Sequence, residues 1–368
     1  MINIYGKRSK GDRLLLISVI TVALFGLVMV YSASSYVSFV TYGDKFYLAK
    51  KHLIGLLTGL ALMIFSCNFD YRKYRGLGLP LLIISVVLLA LVFTPLGIEK
   101  YGATRWINVF GLSVQPSEFA KISFVLFAAA YFSKNPARAK SLLGILPIIA
   151  AGGMVCLLII LEPNMSITVC VGLLMLAMLF AAGMKMKHFI LFIVILGAAV
   201  PVLIIAEPYR LQRLSAFLNP WASPKEEGYQ LLQSLYGLGS GGWFGVGLFN
   251  SRQKFKFLPF SESDFILSVI GEELGFIGTA IFFAVLFFII VRGVRIAGRS
   301  KNCFGFLLAV GITSLFGIQT LINALVVTGS IPPTGLPLPL VSRGNTSLIV
   351  FLFSFGILYN ISKDLEKT

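Results

Sequence analysis

The 368-residue sequence has few charged residues: 12% are Asp, Glu, Lys or Arg, whereas 57% are hydrophobic. Soluble domains carry about 25% charged residues, so this scarcity excludes an ordinary soluble protein. Many apolar runs are long enough to cross a bilayer as helices. The runs are continuously apolar rather than alternating, which excludes a transmembrane strand barrel. The sequence therefore predicts an all-α polytopic membrane protein.

Cysteines and signal-peptide features are also scarce. The four cysteines fall inside predicted spans or on the predicted cytoplasmic side, so no disulfide is expected; they are Cys67, Cys156, Cys170 and Cys303. The first apolar run begins at Leu14 and lacks a small-residue cleavage site. We therefore expect a retained span.

Hydropathy predicts ten transmembrane helices in a single domain covering residues 1–368, at 14–34, 50–67, 77–95, 117–133, 141–161, 164–183, 188–206, 265–291, 304–329 and 345–361. Pro163, in Glu162-Pro163-Asn164, separates the fifth predicted span from the sixth, because proline cannot continue a helix. A long loop, 207–264, separates spans 7 and 8 and is predicted to be extracytoplasmic.

Acidic residues are fewer than basic ones, 15 against 31, which gives a net charge of +16. With both termini in the cytoplasm, most of the basic residues fall in the inner loops and the termini, as the positive-inside rule requires. Membrane insertion explains this charge, and no nucleic-acid partner is expected.

One carboxylate, Asp264, lies where the 207–264 loop meets the next predicted span. A charge at the membrane interface is costly unless it is paired or used, which favours a functional site. The alternative is a helix cap, because residues 261–264 are all good first-turn residues.

Residues 207–264 carry a cationic rim suited to an anionic phosphate substrate; its members are Arg210, Arg213, Arg252, Lys254 and Lys256. The candidates for holding that phosphate are Arg210, Arg252 and Lys254 of the rim, together with Arg105 and Lys121. The alternative is a solvated basic face. Glu118 and Lys121 are three residues apart, so they either line a polar groove or form an ordinary helical ion pair. A divalent cation such as Mg²⁺ or Mn²⁺ could share the anion-binding role, but no ligand cluster demands one, and no metal ligand is predicted.

Two further patterns do not predict catalytic groups. Glu272 and Glu273 cannot form with Asp264 the close carboxylate pair, about 5 Å apart, of a retaining glycosidase. We expect them to tie spans together by hydrogen bonds. Ser251 and Lys254 match the S-x-x-K pattern of penicillin-binding proteins, but the sequence has neither an S-D-N nor a K-T-G motif, so cross-linking activity is not predicted.

Five separated motifs together resemble the SEDS family of shape, elongation, division and sporulation proteins: QPSEFAK (115–121), GYQLLQSLYGLGSGGWFGVGL (228–248), SRQKF (251–255), SDFILSVIGEELGFIG (263–278) and VVTGSIPPTGLPLPLVS (326–342). The resemblance covers nearly the whole chain. SRQKF is more similar to the FtsW/SpoVE branch than to the RodA branch.

This resemblance implies a peptidoglycan glycosyltransferase of the bacterial cytoplasmic membrane. Such an enzyme polymerises lipid II, an undecaprenyl-pyrophosphoryl disaccharide-pentapeptide, at the outer face for division, sporulation or cell shape. Asp264 matches the essential outer-loop aspartate of the family, and Glu118 and Lys121 match its polar pair. A class B penicillin-binding protein is the implied transpeptidase partner. A lipid II transporter and a non-catalytic scaffold are the alternatives.

The chain departs from the family pattern in three places. Glu162-Pro163-Asn164 stands where Gln-Pro-Asp is usual, and Arg343-Gly344-Asn345 where Tyr-Gly-Gly is usual. Before Asp264, the usual Pro-Glu-x-x-Thr is replaced by PFSES (259–263). Asn345 is expected to preserve a left-handed turn, because Asn tolerates that conformation best among non-glycine residues.

Overall fold

The computed structural model describes residues 11–100, 103–109 and 112–365. Across these ranges the chain forms twelve α-helices: α1 (Arg13–Tyr42), α2 (Tyr47–Asn68), α3 (Tyr74–Leu91), α4 (Pro116–Lys134), α5 (Leu142–Leu161), α6 (Met165–Ala181), α7 (Met186–Ile205), α8 (Pro208–Leu218), α9 (Tyr229–Ser240), α10 (Ile266–Arg299), α11 (Cys303–Val327) and α12 (Asn345–Leu365). Short 3-10 helices lie at Tyr71–Lys73, Pro136–Lys140 and Pro220–Ala222.

A helix occupies each of the ten predicted spans. Eight helices of the described chain are long and apolar enough to cross a membrane, namely α1, α2, α3, α5, α7, α10, α11 and α12, where α3 is counted together with the 3-10 turn before it. Of the other two, α6 is apolar but shorter, and α4 carries Glu118, Lys121 and Lys134. The chain is therefore a multi-pass membrane protein, and the count of ten spans stays a prediction.

The all-α prediction is wrong for the segment between α3 and α4. Three antiparallel strands lie there in the order β1 (Gly97–Lys100), β2 (Ala103–Val109) and β3 (Leu112–Val114). β1 pairs with β2 from Gly97–Ile107 to Lys100–Ala103, and β2 pairs with β3 at Val109–Leu112. β-Branched and aromatic residues such as Thr104, Trp106 and Ile107 favour strands. Hydropathy along the chain detects long apolar helices and does not detect strands this short.

The segment 207–264 is more ordered than a plain loop. It contains α8 and α9, each of which has one apolar and one polar side. The Ser234 hydroxyl of α9 donates to the Val327 carbonyl at the end of α11 (2.8 Å), and Ser268 of α10 donates to the Ser234 carbonyl (2.7 Å). These bonds hold α9 against the ends of α10 and α11, beside Asp264.

α10 is interrupted at Gly275, whose backbone has φ 67° and ψ −171°. A glycine-rich turn, residues 241–247, lies against this break and exchanges four backbone hydrogen bonds with it: Val246 N to Glu272 O (3.0 Å), Gly247 N to Glu273 O (3.1 Å), Phe276 N to Gly242 O (2.8 Å) and Ile277 N to Trp243 O (3.1 Å). Irregular backbone within an apolar helix is stable only when such groups find partners. We call residues 241–247 the glycine turn.

Candidate functional site

Asp264 lies two residues before α10 and is partly buried. The irregular chain between α11 and α12 lies against it, and we call residues 331–344 the proline segment. Asn323 of α11 joins the two, because its side-chain amide donates to the carbonyls of Asp264 (2.8 Å) and Leu336 (2.7 Å). The proline segment is therefore fixed beside the candidate catalytic residue.

The proline segment closely approaches the Asp264 carboxylate at Gly335. A Cβ added to Gly335 would lie 3.2 Å from Asp264 Oδ2, and Gly335 has a positive φ of 67°. Glycine is the residue that adopts this conformation without strain and allows the backbone to come so close. Four prolines, Pro332, Pro333, Pro337 and Pro339, exclude a helix here, and the structure indeed has none.

Three charged side chains of the described chain act on the Asp264 carboxylate. Burial raises its pKa to about 6, Arg105 of β2 and Arg213 of α8 lower it, and the neighbouring Glu262 raises it. A carboxylate with this pKa is mostly ionised at neutral pH and can still accept a proton readily, as a general base must.

Arg105 is held in place at the break between α5 and α6. Its guanidinium donates to the carbonyls of Glu162 (3.2 Å) and Pro163 (2.5 Å). Burial lowers the pKa of Arg105, but guanidinium stays protonated in proteins. The Glu162 side chain is buried, and neither carboxyl oxygen has a hydrogen-bond partner among the described residues. Burial raises the pKa of Glu162 to about 8, so at neutral pH it is mostly protonated.

Arg213 belongs to the predicted cationic rim but not to the five candidates for holding the phosphate, and the structure brings it to the site. Its guanidinium donates to the Pro333 carbonyl (3.4 Å) of the proline segment. Arg210, the predicted candidate one turn earlier, instead donates to the Leu203 carbonyl (2.7 Å) at the end of α7. The sequence did offer a signal for Arg213. It lies three residues after the candidate Arg210 on an 11-residue helix, and residues three apart share a face.

Glu118 and Lys121 of α4 are buried beneath the proline segment. The Lys121 ammonium is 2.8 Å from Glu118 and donates to the amide oxygen of Gln319 at 2.6 Å. Gln319 in turn donates to the Pro337 carbonyl at 2.9 Å. The pair therefore supports the proline segment from inside the bundle and does not line an open groove.

Arg252 and Lys254 do not join Asp264, contrary to the prediction. The Lys254 ammonium is buried, lies 3.7 Å from Glu273 and donates to the Phe249 carbonyl. The Arg252 side chain is exposed and lines a separate cavity of about 740 Å³ together with Tyr236 and Gln253. The contacts of both cations are thus with other parts of the chain, and neither is among the charges that act on the Asp264 carboxylate.

The expectation that both carboxylates tie spans together is confirmed for Glu273, whose partner Ser32 belongs to α1, and is wrong for Glu272, which binds the loop before Asp264 instead. Glu272 accepts from the Ser251 hydroxyl and from the backbone N–H groups of Arg252 (2.9 Å) and Gln253 (3.3 Å). Glu273 accepts from the Ser32 hydroxyl of α1 at 2.5 Å and from the N–H of Ser251 at 3.3 Å. The S-x-x-K serine is therefore buried and hydrogen-bonded rather than presented as a nucleophile.

Two of the three departures from the family pattern contact each other. Arg343 Nη1 lies 3.0 Å from Glu262 Oε1, and the Arg343 N–H donates to the Glu262 carbonyl at 2.9 Å. The expectation for Asn345 is wrong: it begins α12, and its side-chain amide donates to the Lys51 carbonyl at 3.1 Å. The left-handed residue near that bend is Leu340, with φ 66°.

No three His, Cys, Asp or Glu side chains in the described ranges are grouped so that they could hold a metal ion. We therefore assign no metal ligand.

The chain is similar to curated proteins along almost its full length. It is 40% identical to a probable peptidoglycan glycosyltransferase FtsW of Trichlorobacter lovleyi, covering 96% of this chain and 94% of that protein. It is 39% identical to stage V sporulation protein E of Bacillus subtilis, covering 97% and 98% of the two chains.

Solved structures share the fold. One chain, from a structure described as "Structural coordination of polymerization and crosslinking by a peptidoglycan synthase complex", has a TM-score of 0.81 at 25% identity, over 98% of this chain and 99% of that one. The rod shape determining protein RodA of Thermus thermophilus has a TM-score of 0.71 at 24% identity, over 97% and 98%. The sequence model of the FtsW/RodA/SpoVE family, described as "Cell cycle protein", matches residues 12–367, and the chain belongs to this family.

Proposed function

We propose that this protein is a peptidoglycan glycosyltransferase that polymerises lipid II at the outer face of the bacterial cytoplasmic membrane. The observation that carries the proposal is the Asp264 carboxylate, with two guanidinium groups acting on it and an irregular segment fixed against it by Asn323. Full-length relatives that are named peptidoglycan glycosyltransferases support the proposal. The alternatives, a transporter and a scaffold, have no comparable support.

The proposed reaction needs one base and positive charge. Asp264 takes the proton of the acceptor hydroxyl, whose oxygen forms the new glycosidic bond to the anomeric carbon of the donor. The bond from that carbon to the pyrophosphate breaks, and the lipid pyrophosphate leaves with the electron pair. Arg105 and Arg213 stabilise its charge. A glycosyl pyrophosphate is already activated, so no carboxylate nucleophile is required.

The proposed topology has ten spans and both termini in the cytoplasm, within one transmembrane domain. Residues 207–264 and the proline segment then face outward, on the side where the glycan is assembled. The charge distribution of the loops supports this orientation.

A separate transpeptidase, of the class B penicillin-binding type, is the proposed partner. The buried Ser251, bonded to Glu272, supports the view that this chain does not itself capture penicillin. A similar chain occurs in a solved peptidoglycan synthase complex described as coordinating polymerisation with crosslinking. Covalent labelling of the isolated protein by a fluorescent penicillin at Ser251 would contradict this division of labour.

The test of the proposed function is glycan polymerisation by the purified protein with purified lipid II. Asp264→Asn preserves the shape of the side chain but removes the base, and we expect it to lower the rate at least about 100-fold. Lys225→Gln, on an exposed part of the outer loop, is the control and keeps the normal rate. Near-normal polymerisation by Asp264→Asn would refute the assignment.

A further inference from the structure

Glu262 and Arg343 form an unusual double contact next to the site. Besides the ion pair of 3.0 Å, the backbone N–H of Arg343 donates to the Glu262 carbonyl at 2.9 Å. The Glu262 side chain is largely buried, with 11% exposed, and the Arg343 side chain is partly buried, with 33% exposed. An ion pair that is partly removed from water and reinforced by a backbone bond holds a loop more firmly than an exposed pair does.

The next two carbonyls along the chain are also fixed. The Ser342 hydroxyl donates to the Ser263 carbonyl at 2.5 Å and accepts from the N–H of Leu338 at 2.8 Å. The Asp264 carbonyl accepts from Asn323, as described above. Three consecutive carbonyls, of residues 262 to 264, are therefore bonded from the proline segment and α11. Arg343 bonds the first carbonyl of this series.

Resting on the function proposed above, we propose that Glu262 and Arg343 are a pair of positioning residues that fixes the Asp264 carboxylate and balances the charge around it. Glu262 lies two residues from Asp264, so the same pair can fix the loop and balance the charge near the carboxylate. Arg343, which stands where the family pattern usually has Tyr, thus introduces a charge that Glu262 neutralises.

The charge-balancing role of the pair follows from the charged groups that act on Asp264. Arg105 from β2 and Arg213 from α8 favour the ionised carboxylate, whereas Glu262 from the same loop disfavours it. Arg343 neutralises Glu262 through the ion pair. Without Arg343, the full negative charge of Glu262 acts on Asp264. Without Glu262, that repulsion disappears.

The test is a double-mutant cycle measured as polymerisation of lipid II by the purified full-length protein. We expect Arg343→Gln to lower kcat about tenfold with KM changed less than about twofold, because a displaced base affects the chemical step rather than binding. We expect Glu262→Gln to lower kcat less than Arg343→Gln does, because the amide oxygen of Gln still accepts a hydrogen bond from Arg343. The double variant is no slower than the slower single variant, since the two residues act as one unit.

The pH profile separates positioning from a merely structural role. The acid limb of kcat/KM reports the base in the free enzyme. Arg343→Gln shifts this limb to higher pH, Glu262→Gln shifts it to lower pH, and the double variant returns it close to its normal position. Loss of folded protein lowers the rate without moving the limb.

A matched control is the ion pair between Arg292 and Asp12, on the predicted cytoplasmic side. Its N–O distance is 2.7 Å, with 24% and 8% of the side chains exposed. Arg292→Gln removes a similar pair and leaves both kcat and the acid limb unchanged. Unchanged rate and acid limb in both single variants, with Asp264→Asn inactive, would overturn the positioning role alone. An active Asp264→Asn would overturn the proposed function itself.

Discussion

Asn323 donates from one side-chain nitrogen to two carbonyls, those of Asp264 and Leu336, at 2.8 and 2.7 Å. Asn323 is buried in α11, and Asp264 lies 59 residues earlier in the chain. One amide group therefore sets how close the proline segment comes to the candidate base. An asparagine within an apolar helix is accordingly part of the site, although it contacts no reacting atom.

Replacing Asn323 with Leu removes this donor and leaves two carbonyls without it, at a cost of about 1–3 kcal/mol for each buried unsatisfied group. We expect Asn323→Leu to lower kcat for polymerisation about tenfold or more, because Asp264 and the proline segment move apart. The measurement is the steady-state rate with purified lipid II, combined with size-exclusion chromatography to confirm folding.

Thr320 offers a control on the same helix. Its hydroxyl is buried and has no hydrogen-bond partner in the described chain. Thr320→Val removes that hydroxyl with little change of shape, so the rate stays near normal. Equal losses in the two variants would show that α11 tolerates no substitution here and would contradict a specific role for Asn323.

The pKa of Asp264, raised to about 6 mainly by burial, predicts an acid limb for polymerisation. A base must be ionised to accept a proton, so the rate is highest above this pKa and falls as the pH drops through it. Below the midpoint, kcat/KM falls about tenfold per pH unit. A profile from pH 5 to 9 checks this, and a flat profile between pH 5 and 7 contradicts it.

Glu162 titrates in a different range, with a pKa raised to about 8 by burial. Its ionisation places a negative charge beside Arg105, whose guanidinium bonds the carbonyls of residues 162 and 163. Glu162→Gln stays neutral at every pH. We expect this variant to keep the acid limb near pH 6 and to lose any change of rate that occurs near pH 8.

The glycine turn predicts a sharp dependence on backbone geometry. A Cβ at Gly245 would lie 2.1 Å from the Glu273 carbonyl oxygen, and Gly245 also has a φ of 80°. We expect Gly245→Ala to destabilise the protein by more than the roughly 1–2 kcal/mol that a left-handed alanine alone costs. The measurement is thermal unfolding in detergent. Gly239→Ala, on α9 with open space around the added Cβ, leaves the unfolding temperature equal or higher.

The orientation is testable with a thiol reagent that does not cross membranes. Cys303 is exposed at the start of α11, on the predicted cytoplasmic side. It should remain unlabelled in intact cells and react after permeabilisation. A cysteine at Lys225, exposed in the outer loop, should react in intact cells once Cys303 is replaced by Ser. The reverse pattern would invert the proposed topology.

Local signals explain what the sequence could predict. Apolar runs define helices by length alone, so the helix positions followed directly. Asp264 could be named as a candidate because a carboxylate at the end of a span is costly unless it is paired or used, and its catalytic role stays a prediction. The role of Lys254 was not predictable, because its partner Glu273 belongs to a helix that the glycine turn approaches only in the folded chain. The pairing of Arg343 with Glu262 likewise depends on how α11 returns the chain across the site.

The bonds that fix residues 262 to 264 come from side chains and backbone that follow them in the chain, the last of them 81 residues later at Arg343. A ribosome therefore completes the helix that begins beside Asp264 well before it makes the groups that orient Asp264. A nascent chain that has not yet inserted the proline segment holds every proposed charge of the site except Arg343, but in no fixed arrangement. The site therefore takes the arrangement described above only once the proline segment has been synthesised.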